Sequence, residues 1–189
     1  MPVTTGMKGA GFYDQHSTAQ LASIQLVLDW IENAIAAMPW PAGSEPFTVL
    51  DLGSSEGRNA LVVMKAVIES VRQRQADRLI QTLYSDLPSN NFNQLFANLQ
   101  EARRQDRTAG VYPSAVAGSF YEPLRPPGTV HLATSFNAVL WLDRLPDVPL
   151  SGYIVYRRPH PPRPGLNVPP ETTEAFSRRA DEDWSRFLQ

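Results

Sequence analysis

The sequence predicts an α/β fold built on an open parallel sheet with helices on both faces. Three observations predict it. Short apolar runs alternate with stretches of helical periodicity, the pattern left by strand–helix–strand units. The first run ends on an acid and breaks into a glycine-punctuated turn, VLDLGSSEGRN at 49–59. The second run also ends on an acid, Asp86 in LYSDLP.

Taken in order, HSTAQLASIQLVLDWIENAIAAM spaces its apolar residues for one long amphipathic helix, with Ser17 or Thr18 placed to cap it and Pro39 and Pro41 to end it. FTVLDLG is a short apolar run between Pro46 and Gly53, as a buried parallel strand requires. NALVVMKAVIESVRQRQ is a helix whose apolar face is Leu61, Val62, Met64, Val67, Ile68 and Val71. LIQTLYSD gives a second strand, NFNQLFANLQEARRQ a second crossover helix, VYPSAVAGS a third strand and TVHLATS a fourth. The sheet-bearing domain is therefore expected over 1–156. The proline- and arginine-rich stretch at 157–173 suits a loop or linker, or a ligand for a small adaptor domain, and 174–189 reads as the start of a further helix. Four strands are few for an open sheet, so the chain reads as stopping partway through a fold.

Composition narrows the function. The 189 residues are 42% hydrophobic, enough for a real core. With 17 basic and 19 acidic residues, the chain lacks the positive surplus that nucleic-acid binding draws on. It has no cysteine, so thiolate catalysis and disulfides are excluded, and His16, His131 and His160 show no ligand-like spacing, so no metal site is expected. Neither a membrane-spanning run nor a charged-then-apolar leader is visible, which gives the expectation of a cytoplasmic protein without a membrane partner.

The loop after the first strand carries the chemistry. A dinucleotide loop wants G-x-G-x-x-G and a phosphate loop wants Gly-Lys-Ser/Thr, and this stretch has neither. Asp51-x-Gly53-x-x-x-Gly57 fits an S-adenosylmethionine (SAM) loop, whose glycines would let backbone lie against the cofactor, or a plain structural turn. Asp86 could accept both ribose hydroxyls at a strand end, or simply begin a proline turn.

The stretches MKGAGFYDQHSTAQ, VLDLGSSEGRNAL, YSDLPSNNFNQLF and GSFYEPLRPPGTVHLATSFNAVLWL, in that order, resemble the SABATH carboxyl methyltransferases, a family that includes the plant enzymes that methylate salicylate, benzoate, jasmonate and indole acetate, with relatives acting on xanthine nitrogens. The resemblance covers residues 7–146 well and the tail weakly. It implies a class I, Rossmann-like methyltransferase fold, a three-layer sandwich incomplete at its C-terminal side, with SAM as cofactor. Carried over by position, it implies that Ser17, Asp51 and Asn59 hold the amino-acid end of the cofactor, with Gly53 and Gly57 in its loop. Asp86 and Leu87 would contact ribose and adenine, Ser119 and Phe120 the adenine rim, and Tyr13 belongs to the segment that closes over it. Gln20 and Trp141 match the pair that hydrogen-bonds the substrate carboxylate; by spacing alone, Trp141 could be core and Gln20 an exposed first-turn residue.

The departures limit what carries over. Ser55-Glu56-Gly57-Arg58-Asn59 stands where the plant enzymes tend to read Ser-Ser-Gly-Pro-Asn, closer to what bacterial relatives would carry. Asn137 and Leu140 replace an aromatic hydroxyl and a His or Met, and Thr134 a frequent His, so the identity of the acid does not carry over. The expected activity is methyl transfer to the carboxylate of a small acid, with an inactive SAM-binding fragment as the alternative. An uncovered sheet edge would invite a second copy, which leaves a homodimer as a further expectation.

Overall fold

The computed structural model describes residues 17–105, 109–148 and 169–189. Tyr13 and the stretch 149–168 lie outside the described residues. The elements are α1 (Thr18–Gln25), α2 (Leu28–Ala37), β1 (Phe47–Leu52), α3 (Arg58–Arg74), β2 (Ile80–Asp86), α4 (Phe92–Gln105), β3 (Val111–Ala117), β4 (Leu132–Thr134) and α5 (Pro170–Phe187).

The four strands form one parallel sheet in the order β3-β2-β1-β4. Register aligns Phe47 with Ile80 and Ile80 with Val111, so one face carries a row of buried apolar side chains. Ile24, Ile31 and Ile35 of α1 and α2, Val63 and Val67 of α3, and Leu95 of α4 join that row in a single core. On the opposite face Thr48, Leu50, Leu83 and Ser85 are buried too. Burial on both faces is what a central strand of a helix-covered sheet requires.

Three elements differ from the sequence reading. The long first helix is two helices. Val27 N–H bonds the carbonyl of Ile24, three residues back, at 3.0 Å, and this tight turn points Leu26 outward while Ile24, Ile31 and Ile35 stay buried. Neither glycine nor proline marks the break, so periodicity could not place it. The fourth strand shrinks from the expected 129–135 to Leu132–Thr134. At His131 the ladder changes character: its backbone N–H donates to Thr48 O, and the Thr48 N–H returns to the imidazole Nδ1, each at 2.9 Å. The last helix begins at Pro170, inside the expected linker, because proline suits a first helical turn, where its missing N–H would have no partner anyway.

Two compact units divide between Ala138 and Val139. The last sheet pair of β4 is Thr134 with Asp51, after which the chain leaves the ladder. Residues beyond the division are held by their own charges. Asp183, nearly fully buried, accepts the Asp143 N–H at 2.9 Å, and both acids are paired with Arg179 and Arg186 at 2.9–3.3 Å.

Candidate functional site

The strand order itself locates the site. From β1 the chain moves outward through β2 and β3, then returns to place β4 on the other side of β1. Ligands of open α/β sheets bind at such a reversal, outside the carboxyl ends of the strands. Asp51 stands there, level with Tyr84 on β2 and Thr134 on β4.

Asp51 is buried, and two hydroxyls meet its carboxylate. Thr134 Oγ1 donates to one carboxylate oxygen at 2.8 Å and Ser54 Oγ to the other at 2.9 Å. Burial pushes its pKa up from 3.8 to about 6, the two hydroxyl bonds pull it back in part, and the Asp86 charge pushes further in the upward direction. Among the described residues it is paired with no cation, and a ligand ammonium would supply one.

The loop 53–57 is tied down from three sides. The N–H groups of Gly53 and Ser54 both donate to the carbonyl of Ser85 at 2.9 Å. Ser55 N–H donates to Asp86 Oδ2 at 2.7 Å, and Asn90 Nδ2 donates to Ser55 O at 2.8 Å. Asn98 Nδ2 on α4 donates to the Glu56 carbonyl at 2.7 Å, and Asn91 Nδ2 to its carboxylate at 3.2 Å. Gly53 and Gly57 have φ of 84° and 95°. A Cβ on Gly53 would lie 2.3 Å from the Ala138 Cβ, and one on Gly57 2.6 Å from Leu95 Cδ1. The glycines are thus required by backbone conformation and by the protein's own packing.

Asp86 is half-buried at the end of β2 and already accepts two backbone N–H groups, from Ser55 and, at 2.8 Å, from Leu87. Burial raises its pKa and those two bonds lower it. A carboxylate has about four acceptor sites, so two remain for a pair of hydroxyls.

The other expected residues fall as follows. Ser17 is buried at the head of α1, and its side chain makes no capping bond, contrary to the capping role read from sequence. Asn59 is buried in the first turn of α3. Leu87 is half-buried beside Asp86. Ser119 and Phe120 follow β3, whose end is pinned by the Gly118 N–H to the Asp86 carbonyl at 2.9 Å. The Phe120 ring lies 4.6 Å from that of Tyr121. Gln20 is half-buried, and its Oε1 is buried with no hydrogen-bond partner among the described residues. Trp141, in the second unit, is 38% exposed, which removes the alternative that it is core.

Sequence reasoning missed Ser54, Ser55 and the three asparagines that hold the loop. Asn91 and Asn98 stand two helical turns apart, a spacing that places them on one face. Thr134 was noted only as a departure, yet it is a direct partner of Asp51. Among the described residues no group of three or more His, Asp or Glu is placed to hold a metal ion.

The profile of the SAM dependent carboxyl methyltransferases matches residues 3–189. The chain belongs to that family. It is 29% identical over 187 residues to gibberellic acid methyltransferase 2 of Arabidopsis thaliana, covering 93% of this chain and 47% of that protein. With salicylate carboxymethyltransferase of Clarkia breweri it shares 28% identity over 192 residues, 97% of this chain and 51% of the other. The fold is also that of a loganic acid methyltransferase solved with SAH, with a TM-score of 0.75 at 23% identity over 99% of this chain and 53% of that one. The chain thus has the class I, Rossmann-like α/β fold and spans about half the length of the curated relatives it matches.

Proposed function

We propose that the chain binds SAM at the carboxyl edge of its sheet and serves methyl transfer to the carboxylate of a small acid. The observation that carries this reading is the pair of acids at neighbouring strand ends, joined by a rigid loop. Asp51 is buried with no cation paired to it among the described residues, as would suit the ammonium of the cofactor's amino-acid end, and Asp86 keeps acceptor sites for two ribose hydroxyls. Ser17 and Asn59 would add polar contacts to the amino-acid end, Leu87, Ser119 and Phe120 would border the adenine, and Tyr13 would close over it. The donor set fits the cofactor.

When bound, SAM supplies both the methyl group and, as its sulfonium, the leaving group. The chain's residues are left with positioning. A carboxylic acid with an ordinary pKa near 4 is already ionised at neutral pH, so no side chain has to remove a proton. Gln20 would donate through its amide and Trp141 through its indole N–H, each to the substrate carboxylate. The buried, unpartnered Oε1 of Gln20 supports an amide oriented by something other than the described protein groups. Alignment of the nucleophile and exclusion of water then account for the rate.

Calorimetry with SAH on Asp86→Ala tests the cofactor part. Losing a charged acceptor should weaken binding about ten- to hundredfold, and unchanged affinity in a folded variant would sink the assignment. For the transfer itself, labelled SAM is incubated with a panel of aromatic and aliphatic acids, comparing the chain with its Gln20→Ala and Trp141→Phe variants. Lower turnover at retained SAH affinity supports the substrate roles, whereas parallel loss of SAH binding contradicts them. A cytoplasmic, small-molecule metabolic role belongs to the same proposal, and so does a homodimer, which sedimentation velocity reads directly. Among the described residues no helix is long and apolar enough to cross a membrane.

A further inference from the structure

The two hydroxyls that meet the Asp51 carboxylate are not equivalent. Ser54 belongs to the 53–57 loop, and its Oγ divides its proton between Asp51 Oδ2 at 2.9 Å and the Asp51 carbonyl at 3.2 Å. Thr134 Oγ1 lies 2.8 Å from Asp51 Oδ1 and donates to nothing else among the described residues. It comes from the other side of the strand-order reversal: Thr134 is the buried last residue of β4, level with Asp51 in the ladder. A β-branched side chain on a strand is stiff at χ1, so this donor is set in place before any ligand arrives.

The segment after β4 keeps it there. Ser135 Oγ donates to the Leu52 carbonyl at 3.3 Å, and Ala138 packs against Gly53, its Cβ 2.3 Å from where a Cβ of Gly53 would stand. Residues 134–138 thus run beside 51–53 in step. From β2, Ser85 Oγ holds the Asp51 carbonyl at 2.9 Å. The backbone of Asp51 is fixed from one side and its carboxylate from the other.

A hydrogen bond donated to an ionised carboxylate favours the charged form. Burial raises the pKa of Asp51, and of the groups that pull it back down Thr134 counts most, ahead of Ser54. On β2, the Asp86 charge raises it further, while Tyr84 is buried and its hydroxyl is held far above its usual range, so it stays neutral. The loop's Glu56 carboxylate is met by Asn91, His131 faces Thr48 three register positions away, and Arg58 at the start of α3 is exposed.

We propose that Thr134 is a positioning residue for the cofactor: acting through Asp51, it fixes the carboxylate in one orientation and favours its charged form, so that it can receive the ligand's ammonium at neutral pH. This role rests on the reading of Asp51 as the ammonium's partner.

The test uses the full chain and SAH. Calorimetry at pH 6, 7 and 8 compares wild type with Thr134→Val, which keeps the branched shape and removes the donor, and with Thr134→Ser, which restores it. Carbon-13 spectra of the Asp51 carboxylate in the apo proteins give its titration midpoint directly. In Thr134→Val that midpoint should move up by about one unit. Affinity should then fall about fivefold at pH 6, where roughly half of wild-type Asp51 is ionised against about a tenth in the variant, and by less than about twofold at pH 8. Thr134→Ser should recover most of both. Thr134→Ala should show the same pH pattern as the valine variant, so that a valine variant that does not fold leaves the test standing. A loss of equal size at every pH would make Thr134 a structural residue and overturn the proposal, as would an unmoved midpoint. Failure of the wild type itself to bind SAH brings down the cofactor reading and this role with it, whereas wild-type binding with an unchanged Thr134→Val removes the role of Thr134 alone.

Discussion

Titration of Asp51 should move cofactor affinity and apo stability in opposite directions. Its pKa rises from 3.8 to about 6 on folding, mainly through burial. The folded state therefore holds this proton more tightly than the unfolded chain. The group's favourable contribution is complete below pH 3.8 and is lost as pH climbs from 3.8 to about 6, an amount of about 3 kcal/mol at 1.36 kcal/mol per unit. Binding runs the other way. An α-ammonium, with an ordinary pKa near 8, stays charged throughout this window and pairs only with ionised Asp51. At pH 5 about one-tenth of Asp51 is ionised, so SAH affinity should be about tenfold below its value at pH 7. Calorimetry from pH 5 to 7.5, beside urea denaturation of the apo chain, reads both trends. Asp86, whose pKa is also raised, contributes its own slope, so Asp51→Asn is the control: it should bind weakly and lose most of the pH dependence. An equal slope in the wild type and in Asp51→Asn would refute the pairing.

Gly53→Ala should destabilise more than Gly57→Ala, by about 3 against 1–2 kcal/mol in urea denaturation. Both force a side chain into positive φ, but the Ala138 Cβ in the way of the first cannot move aside, whereas the Leu95 Cδ1 facing the second can rotate. His131→Leu strands the Thr48 N–H and should cost about 1–3 kcal/mol by the same assay; an unchanged midpoint would mean that the imidazole contributes nothing to the β1–β4 edge. Asp183→Ala removes a buried carboxylate that both Arg179 and Arg186 hold, and should cost about 3 kcal/mol, read as earlier proteolysis or a lower melting temperature.

What was legible in the sequence was whatever the chain states locally. Asp51 and Asp86 could be placed at strand ends because each closes an apolar run, and the parallel sheet followed from strands that alternate with helices. The break at Leu26–Val27 was not legible, because any residue can adopt a single tight turn. Nor were the partners of the acids. Thr134 meets Asp51 across 83 positions and Asn98 meets the Glu56 carbonyl across 42, so each pairing depends on a register that only the assembled sheet and helices define. A further reason for the glycines was not legible: Ala138 and Leu95, distant in sequence, occupy the space a side chain would need.

Asp86 joins two tasks that a sequence reading keeps apart. One carboxylate oxygen fixes the Ser55 N–H, and with it a residue held at φ 50°, while the other fixes the Leu87 N–H. A non-glycine residue in the left-handed region is held there by its surroundings, and two of the groups holding Ser55 are Asp86 and Asn90. The acid that would receive the ribose is therefore also a fastening of the loop beside Asp51. An asparagine cannot replace it quietly, because its NH₂ would face one of the two backbone donors. The affinity lost in Asp86→Ala must then contain a loop term beside the direct hydroxyl bonds. Asn90→Ala, which loosens Ser55 while leaving both carboxylate oxygens in place, separates the two.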